Sequence, residues 1–167
     1  FPPGEVDVAS HPFLCEQDAM SPRLARLADA PHIAALEESF PTGRWSLDAW
    51  TQEMTSHRAQ VLVEGDGESV PLGVAAFSVA GETCDLNRVI VAPAARRGGV
   101  ALRLLLAGLA WAEEQGATQM MLEVEDGNEP ALALYQQIGF VTLARRANYY
   151  GPGRDALVMA LPLGEQA

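Results

Sequence analysis

Apolar residues recur at regular spacings in the first half of the chain and predict two helices followed by three strands. The first helix begins near Pro31, after which apolar residues follow three and four positions apart. The second helix covers Leu47–Thr55, and Ser46 is a suitable N-cap for it. Runs rich in β-branched residues then predict strands over Ala59–Val63, Leu72–Val79 and Asp85–Val91.

The second half of the chain carries the clearest periodicity. A stripe of leucines that ends at Ala112 lies on one face of a helix predicted over Ala101–Gln115, and Gly116 is suited to end that helix. A further helix is predicted over Pro130–Ile138. Strands are predicted at Gln119–Val124, Phe140–Arg145 and Ala156–Leu161. This alternation predicts a mixed α/β fold built on one central sheet.

Length and composition indicate one globular domain. The chain has 167 residues, of which 49% are hydrophobic and 20% charged. We expect an N-terminal arm or linker at residues 1–20, a domain over 21–163 and a short tail at 164–167. No apolar run reaches the roughly 20 residues of a membrane span, and no signal peptide is visible, so a cytoplasmic location is expected. Cys15 and Cys84 are too few for a disulfide framework.

The net charge of −11 changes the expected partners. Nucleic acid is a poor partner for such a chain, because a phosphate backbone attracts a basic surface. An acidic surface would attract a basic polypeptide, although it would equally serve solubility alone. The three histidines, His11, His32 and His57, show no ligand spacing, so no metal is expected. We expect a monomer or a weak dimer.

A strand, a glycine-bearing loop and a helix start follow one another over residues 89–101. The first N–H groups of a helix lack partners within the helix and lie at the positive end of its dipole. Gly98 and Gly99 would let this backbone approach an anion closely, and Arg96 and Arg97 add positive charge. The loop is therefore either a phosphate site or a simple tight turn, and its spacing matches neither a Walker loop nor a dinucleotide fingerprint.

The spacing of Arg96, Gly99 and Ala101 resembles the R/Q-x-x-G-x-G/A signature of the GNAT superfamily of N-acetyltransferases. The downstream half is similar to the RimI branch, whose members acetylate the N-terminal alanine of a small-subunit ribosomal protein. The segments that carry this second likeness are Leu122–Val124, Asn128, Ala131–Tyr135, Gly139-Phe140, Arg145–Tyr150 and Asp155–Met159. The resemblance implies the GNAT fold, in which helices flank a mixed central sheet with a splayed strand pair.

The resemblance also implies acetyl-CoA as co-substrate. In the family the loop N–H groups bind its pyrophosphate, and a backbone N–H of the preceding strand serves the oxyanion. The implied cofactor contacts are Val89, Ile90, Val91, Arg96, Arg97, Gly98, Gly99, Val100, Ala101 and Asn128. Asn128 also fits a simple turn or N-cap. Arg97-Gly98 departs from the family by inverting the usual order of glycine and basic residue.

Acetylation of an amine by a thioester requires a neutral amine, a donor for the oxyanion and a proton for the departing thiolate. An α-amine has a pKa near 8, so its deprotonation at pH 7 costs only about 1.4 kcal/mol. The side-chain amine of lysine has a pKa near 10.4, and its deprotonation costs roughly 4.6 kcal/mol. A carboxylate acting through water is therefore a sufficient base for an α-amine.

Two residues are candidates for proton transfer. Glu123 lies in an apolar strand, where alternation puts it on one face with Met121 and Glu125. Alone, it fits an ordinary solvent-facing acid, and Tyr135 fits a packing residue of a helix. The resemblance implies that Glu123 is the base and Tyr135 the acid. It also suggests substrate contacts at Trp45, Asn148, Tyr149 and Tyr150, although the last three equally fit a β-hairpin with surface aromatics.

The leading interpretation is transfer of acetyl from acetyl-CoA to the N-terminal α-amine of a basic polypeptide, in the manner of the ribosomal-protein enzymes. One alternative keeps the enzyme and changes the acceptor to a lysine side chain or a small-molecule amine. Another alternative is a non-catalytic acyl-CoA-binding domain, which would keep the loop at 96–101 and would need neither Glu123 nor Tyr135.

Overall fold

The computed structural model of the protein describes residues 21–40 and 43–164. Within these ranges the strands are β1 (Arg23–Leu24), β2 (Ala59–Glu64), β3 (Gly73–Ala80), β4 (Thr83–Val91), β5 (Gln119–Glu125), β6 (Val141–Gly151) and β7 (Arg154–Pro162). The α-helices are α1 (Ala30–Glu37), α2 (Leu47–Thr55), α3 (Val100–Glu114) and α4 (Glu129–Ile138). The arm predicted at residues 1–20 and the last three residues of the predicted tail lie outside the described ranges, so these stay predictions.

The described strands form one mixed sheet in the order β1-β2-β3-β4-β5-β7-β6. Neighbouring strands are antiparallel except β4 and β5, which are parallel. Their pairing extends only from Thr83 with Gln119 to Asp85 with Met121. Beyond these pairs the two strands diverge, although β4 continues to Val91. The mixed sheet with a splayed strand pair is therefore confirmed.

A β-bulge lies in β4 where the divergence from β5 begins. In the β3–β4 ladder Phe77 pairs with Leu86 and Ala76 pairs with Arg88, which leaves Asn87 as the extra residue. A bulge bends its strand and increases the local twist. It therefore turns the second half of β4 away from β5 and opens a cleft between them.

Alternating residues of the central strands supply two hydrophobic cores, one on each face of the sheet. On β2, Val61 and Val63 pack in one cluster with Trp50 of α2. Leu62 between them packs in the other cluster, with Leu104 of α3. Helices α1 and α2 therefore cover one face, whereas α3 and α4 cover the other.

Helix α3 packs closely on β3 because its sequence contains Gly108. A Cβ atom at this position would lie 2.0 Å from Cζ of Phe77, so the phenyl ring occupies the space that a side chain would take. The helix begins at Val100, one residue before the predicted start, and ends at Glu114. No helix in the described ranges combines the length and the apolar character that a membrane span requires.

Two helix starts use the side-chain caps that the sequence indicates. Oγ of Ser46 accepts a hydrogen bond from the N–H of Ala49 at 3.1 Å, and α2 follows directly. Oδ1 of Asn128 accepts one from the N–H of Ala131 at 3.4 Å at the start of α4. Asn128 is therefore an N-cap, as one of the sequence-based alternatives predicted.

The C-terminal hairpin is longer than predicted. The sequence pattern ended one strand at Arg145 and began the next at Ala156, whereas β6 runs to Gly151 and β7 begins at Arg154. β6 is the edge strand, and its residues 141–150 are all exposed. The predicted boundaries are wrong because an edge strand exposed along this length needs no alternation of apolar and polar residues.

Candidate active site

The diverging ends of β4 and β5 enclose a cleft of about 990 Å³. Most of the side chains predicted for proton transfer and substrate contact lie around it, together with two predicted cofactor contacts. The predicted site residues in this lining are Trp45, Val89, Glu123, Asn128, Tyr135, Tyr149 and Tyr150. The fold thus brings together residues that are as much as a hundred positions apart in the sequence.

The predicted base lies on β5, at the side of the cleft. Leu122 and Val124 are buried in the core, whereas Glu123 between them is partly exposed, as the alternation predicts. Its Oε1 accepts a hydrogen bond from Nη1 of Arg146 at 2.7 Å. A carboxylate in the cleft therefore has an arginine of β6 as its partner.

The predicted acid is almost completely buried at the start of the cleft. Tyr135 is 5% exposed, and its ring meets that of Phe140 edge to face with 5.8 Å between centroids. Burial raises the pKa of Tyr135 to about 12, and the neighbouring Tyr150 acts in the same direction. The hydroxyl therefore stays protonated at neutral pH and can donate a proton or a hydrogen bond into the cleft.

A second carboxylate in the cleft was not singled out from the sequence. Asp85 is the last residue of β4 that pairs with β5, and it lines the cleft. Desolvation raises the pKa of Asp85, and the carboxylate of Glu123 raises it further. Asp85 lies between the buried residues Cys84 and Leu86. Because β4 also contains Asn87 and Arg88, an acid in this strand does not stand out in the sequence as Glu123 does in its apolar strand.

Another part of the lining is held by a buried ion pair. The guanidinium carbon of Arg88 lies 5.9 Å from the ring centroid of Trp45. Nε of Arg88 donates to Oε1 of Glu37 at 2.6 Å, and Nε1 of Trp50 donates to the same oxygen at 3.1 Å. Because the Glu37 carboxylate is buried and accepts from both donors, it fixes the side chains of Arg88 and Trp50 in place.

Asn148 differs from the other predicted substrate contacts, because it is not among the described residues that line the cleft. It adopts a positive φ of 57°. Its N–H donates to Oδ1 of Asp155 at 2.9 Å, and its own Oδ1 accepts from the N–H of Gly153 at 2.7 Å. Asn148 thus shapes the hairpin beside Tyr149 and Tyr150, whose rings pack edge to face.

The predicted phosphate loop joins β4 to α3 and has a backbone suited to an anion. The N-cap of α3 is Gly99, with a φ of +80° and no side chain to occupy the helix start. The first hydrogen bond of the helix runs from the N–H of Arg103 to the oxygen of Gly99 at 3.0 Å. The N–H groups of residues 100–102 precede that bond, and such groups fit the pyrophosphate of a coenzyme A ester.

The remaining loop residues have distinct environments. Arg97 adopts a φ of +68°, a left-handed conformation that favours glycine and is strained for an arginine. The guanidinium carbon of Arg96 lies 5.6 Å from the ring centroid of Phe40. Ile90 is buried in the core under α1 and α2, so it offers a ligand its backbone and not its side chain.

A buried ion pair, which no local sequence pattern indicates, supports this loop. Nε of Arg103 donates to Oε1 of Glu64 at 2.6 Å, and Nη2 donates to Oε2 at 3.1 Å. Nη1 of the same side chain donates to the oxygen of Gly98 at 3.0 Å. One guanidinium therefore joins β2, α3 and the loop, although Glu64 and Arg103 are 39 positions apart.

Known proteins resemble the chain in sequence and in fold. A family model described as the acetyltransferase (GNAT) family matches residues 23–140. The chain is 31% identical over 143 residues to the ribosomal protein bS18-alanine N-acetyltransferase of Escherichia coli K12, and this covers 82% of the chain and 91% of that enzyme. The Escherichia coli crystal structure matches with a TM-score of 0.78 at 24% identity, over 88% of the chain and 96% of the structure.

Two further proteins extend the comparison. Streptothricin acetyltransferase of Streptomyces lavendulae is 28% identical over 142 residues, which cover 81% of the chain and 75% of that enzyme. YncA of Salmonella typhimurium, solved with its cofactor acetyl-CoA, has a TM-score of 0.73 at 23% identity, over 88% of the chain and 95% of the structure. Family, relatives and fold agree: the chain is an acetyl-CoA-dependent acetyltransferase and belongs to the GNAT family.

Proposed function

We propose that the chain transfers the acetyl group of acetyl-CoA to the N-terminal α-amine of a basic protein, with Glu123 as proton acceptor and Tyr135 as proton donor. The observation that carries this proposal is that both side chains line the same cleft between the diverging strands. The similarity to a ribosomal-protein-alanine N-acetyltransferase supports the same acceptor. A ribosomal substrate would be met in the cytoplasm.

Acetyl-CoA, when bound, supplies a thioester carbonyl that an amine can attack. The residues proposed to hold it are the loop at 96–101, the backbone of β4 over Val89–Val91, and Asn128. The loop contributes N–H groups at the start of α3, where a pyrophosphate is favoured by the helix dipole. Val89 and Asn128 line the cleft itself, so they suit contacts nearer to the thioester.

Each proposed proton transfer fits the environment of its side chain. A carboxylate oxygen of Glu123 takes up the proton of the amine, directly or through water. This step costs little free energy for an α-amine, because the pKa of an α-amine is near neutral. The hydroxyl of Tyr135 gives a proton to the departing sulfur. Burial raises the pKa of Tyr135 to about 12, so this donor is fully protonated before the reaction.

The charges around the cleft favour a cationic acceptor. Among the described residues of the lining, Asp85, Glu123 and Glu125 are acidic. Glu123 is bonded to Arg146 and Glu125 to Arg154, whereas Asp85 forms no salt bridge within the described ranges and keeps its charge available to an acceptor. The chain as a whole carries a net charge of −11. A basic peptide is therefore attracted to the cleft, with the aromatic rings of Trp45, Tyr149 and Tyr150 available for packing.

A small-molecule amine is the second candidate acceptor. The observation that favours it is the similarity to streptothricin acetyltransferase, which covers 81% of the chain. The same acidic lining suits a small polycation as well as a peptide. A lysine side chain is the third candidate, and its higher pKa makes the removal of its proton more costly.

Steady-state kinetics on two matched peptides distinguish an α-amine acceptor from a lysine side chain. One peptide begins with a free alanine and has arginines as its only other cations. The second has the same length and charge, because its N-terminus is blocked and one lysine replaces an uncharged residue. We expect kcat/KM to favour the first peptide by roughly a hundredfold, from the difference in amine pKa. Equal rates on both peptides, or faster acetylation of streptothricin, would contradict the α-amine proposal.

A further inference from the structure

The contact between Glu123 and Arg146 spans two strand spacings. In the ladders, Glu123 pairs with Val158 of β7, and Arg146 pairs with Ala156 of the same strand. Paired residues share a face of the sheet, so both side chains lie on the face that carries the cleft. β5 and β6 are about 9.6 Å apart, with β7 between them. Only a long side chain crosses that distance, and Nη1 of Arg146 lies 2.7 Å from Oε1 of Glu123.

Tyr149 completes a three-membered group around this contact. The guanidinium carbon of Arg146 lies 5.2 Å from the ring centroid of Tyr149, within the range of a cation–π interaction. The nearby carboxylate of Glu123 raises the pKa of Tyr149. Arg146 therefore contacts both the carboxylate of Glu123 and the ring of Tyr149.

We propose that Arg146 is a positioning residue, which reaches from β6 across β7 to hold the Glu123 carboxylate in the orientation that the reaction needs. This proposal rests on the proposed role of Glu123 as proton acceptor. Among the described residues, the charged and titratable groups that interact with Glu123 are Asp85 of β4 and Arg146, Tyr149 and Tyr150 of β6. Arg146 is the cation of this set, and its guanidinium bonds directly to the carboxylate.

The neighbouring Arg145 provides a matched control. It lies on the same strand with nearly the same exposure, 53% against 54% for Arg146. Adjacent strand residues point to opposite faces, and Arg145 bonds to Asp126 at 2.6 Å and to Asp155 at 3.0 Å. Neither aspartate is among the described residues that line the cleft. Loss of Arg145 therefore removes an exposed arginine ion pair without removing the partner of Glu123.

The test compares R146Q, R146K and R145Q with the wild type and with E123Q, on the amine that the wild type acetylates fastest. We expect R146Q to lower kcat/KM by roughly tenfold to a hundredfold, the range for a lost hydrogen bond between charged groups. We expect this loss to fall on kcat more than on KM, because Arg146 acts on the carboxylate that takes up the amine proton. R146K should recover part of the lost rate, since it keeps the charge.

The controls make the two proposals separable. R145Q should match the wild type in rate and pH profile, and R145Q and R146Q should unfold at the same denaturant midpoint. The role of Arg146 is overturned if R146Q behaves as R145Q does, or if it is faster than the wild type because an obstacle has been removed. If E123Q turns over at the wild-type rate, the proposed role of Glu123 is wrong, and the role of Arg146 that rests on it is wrong too. If E123Q is inactive and R146Q has the wild-type rate, only the proposed role of Arg146 is wrong.

Discussion

Ion pairs are arranged differently on the two sides of the point where β4 and β5 diverge. On the β1–β4 side the carboxylates are almost fully buried and each is bonded to an arginine: Asp29 to Arg23, Glu37 to Arg88 and Glu64 to Arg103. On the β5–β7 side the pairs are accessible to solvent: Glu123 with Arg146, Glu125 with Arg154, and Asp126 with Arg145.

This difference separates a fixed part of the cleft from an adjustable one. Breaking a buried pair leaves an uncompensated charge in the interior, which typically costs several kcal/mol. An accessible pair can exchange its partner for water or for a substrate cation at little cost. The β1–β4 side therefore holds in place the loop at 96–101 and the part of the cleft lining that contains Trp45. The ion pairs of the β5–β7 side can instead rearrange when an acceptor binds.

The largest effect is expected from Tyr135, the buried polar group on the β5–β7 side. Y135F removes the proposed proton donor and keeps the ring that packs on Phe140. We expect kcat to fall by about 10² to 10⁴-fold, the usual contribution of general acid catalysis. Acetyl-CoA binding, measured by calorimetry, should not change. Because burial raises the pKa of Tyr135 to about 12, its hydroxyl should stay protonated between pH 7 and 9. The wild-type rate should therefore not fall over this range through loss of the proton donor.

Unchanged turnover in Y135F with normal acetyl-CoA binding would contradict the proposed donor. If E123Q were also fully active, neither residue would carry proton transfer.

The next effect is expected in stability, on the β1–β4 side. E37A leaves the guanidinium of Arg88 and Nε1 of Trp50 without their shared acceptor. We expect the free energy of unfolding to fall by about 3–5 kcal/mol in urea denaturation. E38A is the matched control, because Glu38 is the next residue and is exposed. If both variants lost less than about 1 kcal/mol, the comparison between the two sides would be broken.

The fold was predictable from the sequence where the burial of side chains leaves a clear pattern. β2 and β3 are apolar on both faces and the helices on one, and the predicted bounds of β2, β3, α2, α3 and α4 lie within one residue of those observed. β6 has no buried face, so its second half was missed. The resemblance to a known family supplied the splayed strand pair, which periodicity alone does not contain.

The position of several candidate site residues was predictable from the sequence, whereas their partners were not. Glu123 and Tyr135 stand out because of the family spacing, and the structure brings both to the cleft. Their partners do not stand out, since Arg88 lies 51 positions from Glu37 and Arg146 lies 23 positions from Glu123. Such contacts depend on strand order and register, and no local pattern in the sequence specifies them.

The smallest effect is expected from Glu125, on the accessible side. Its hydrogen bond with Arg154 holds the pKa of Glu125 below its usual value. Any stabilisation from this pair is therefore present at neutral pH and is lost as pH falls through the lowered pKa. E125Q should unfold at the wild-type urea midpoint within error at neutral pH and physiological salt, because both side chains of this pair reach solvent and the guanidinium of Arg154 stays hydrated when the carboxylate is lost. A loss as large as that of E37A would show that the β5–β7 pairs are structural, and would remove the distinction between a fixed and an adjustable side of the cleft.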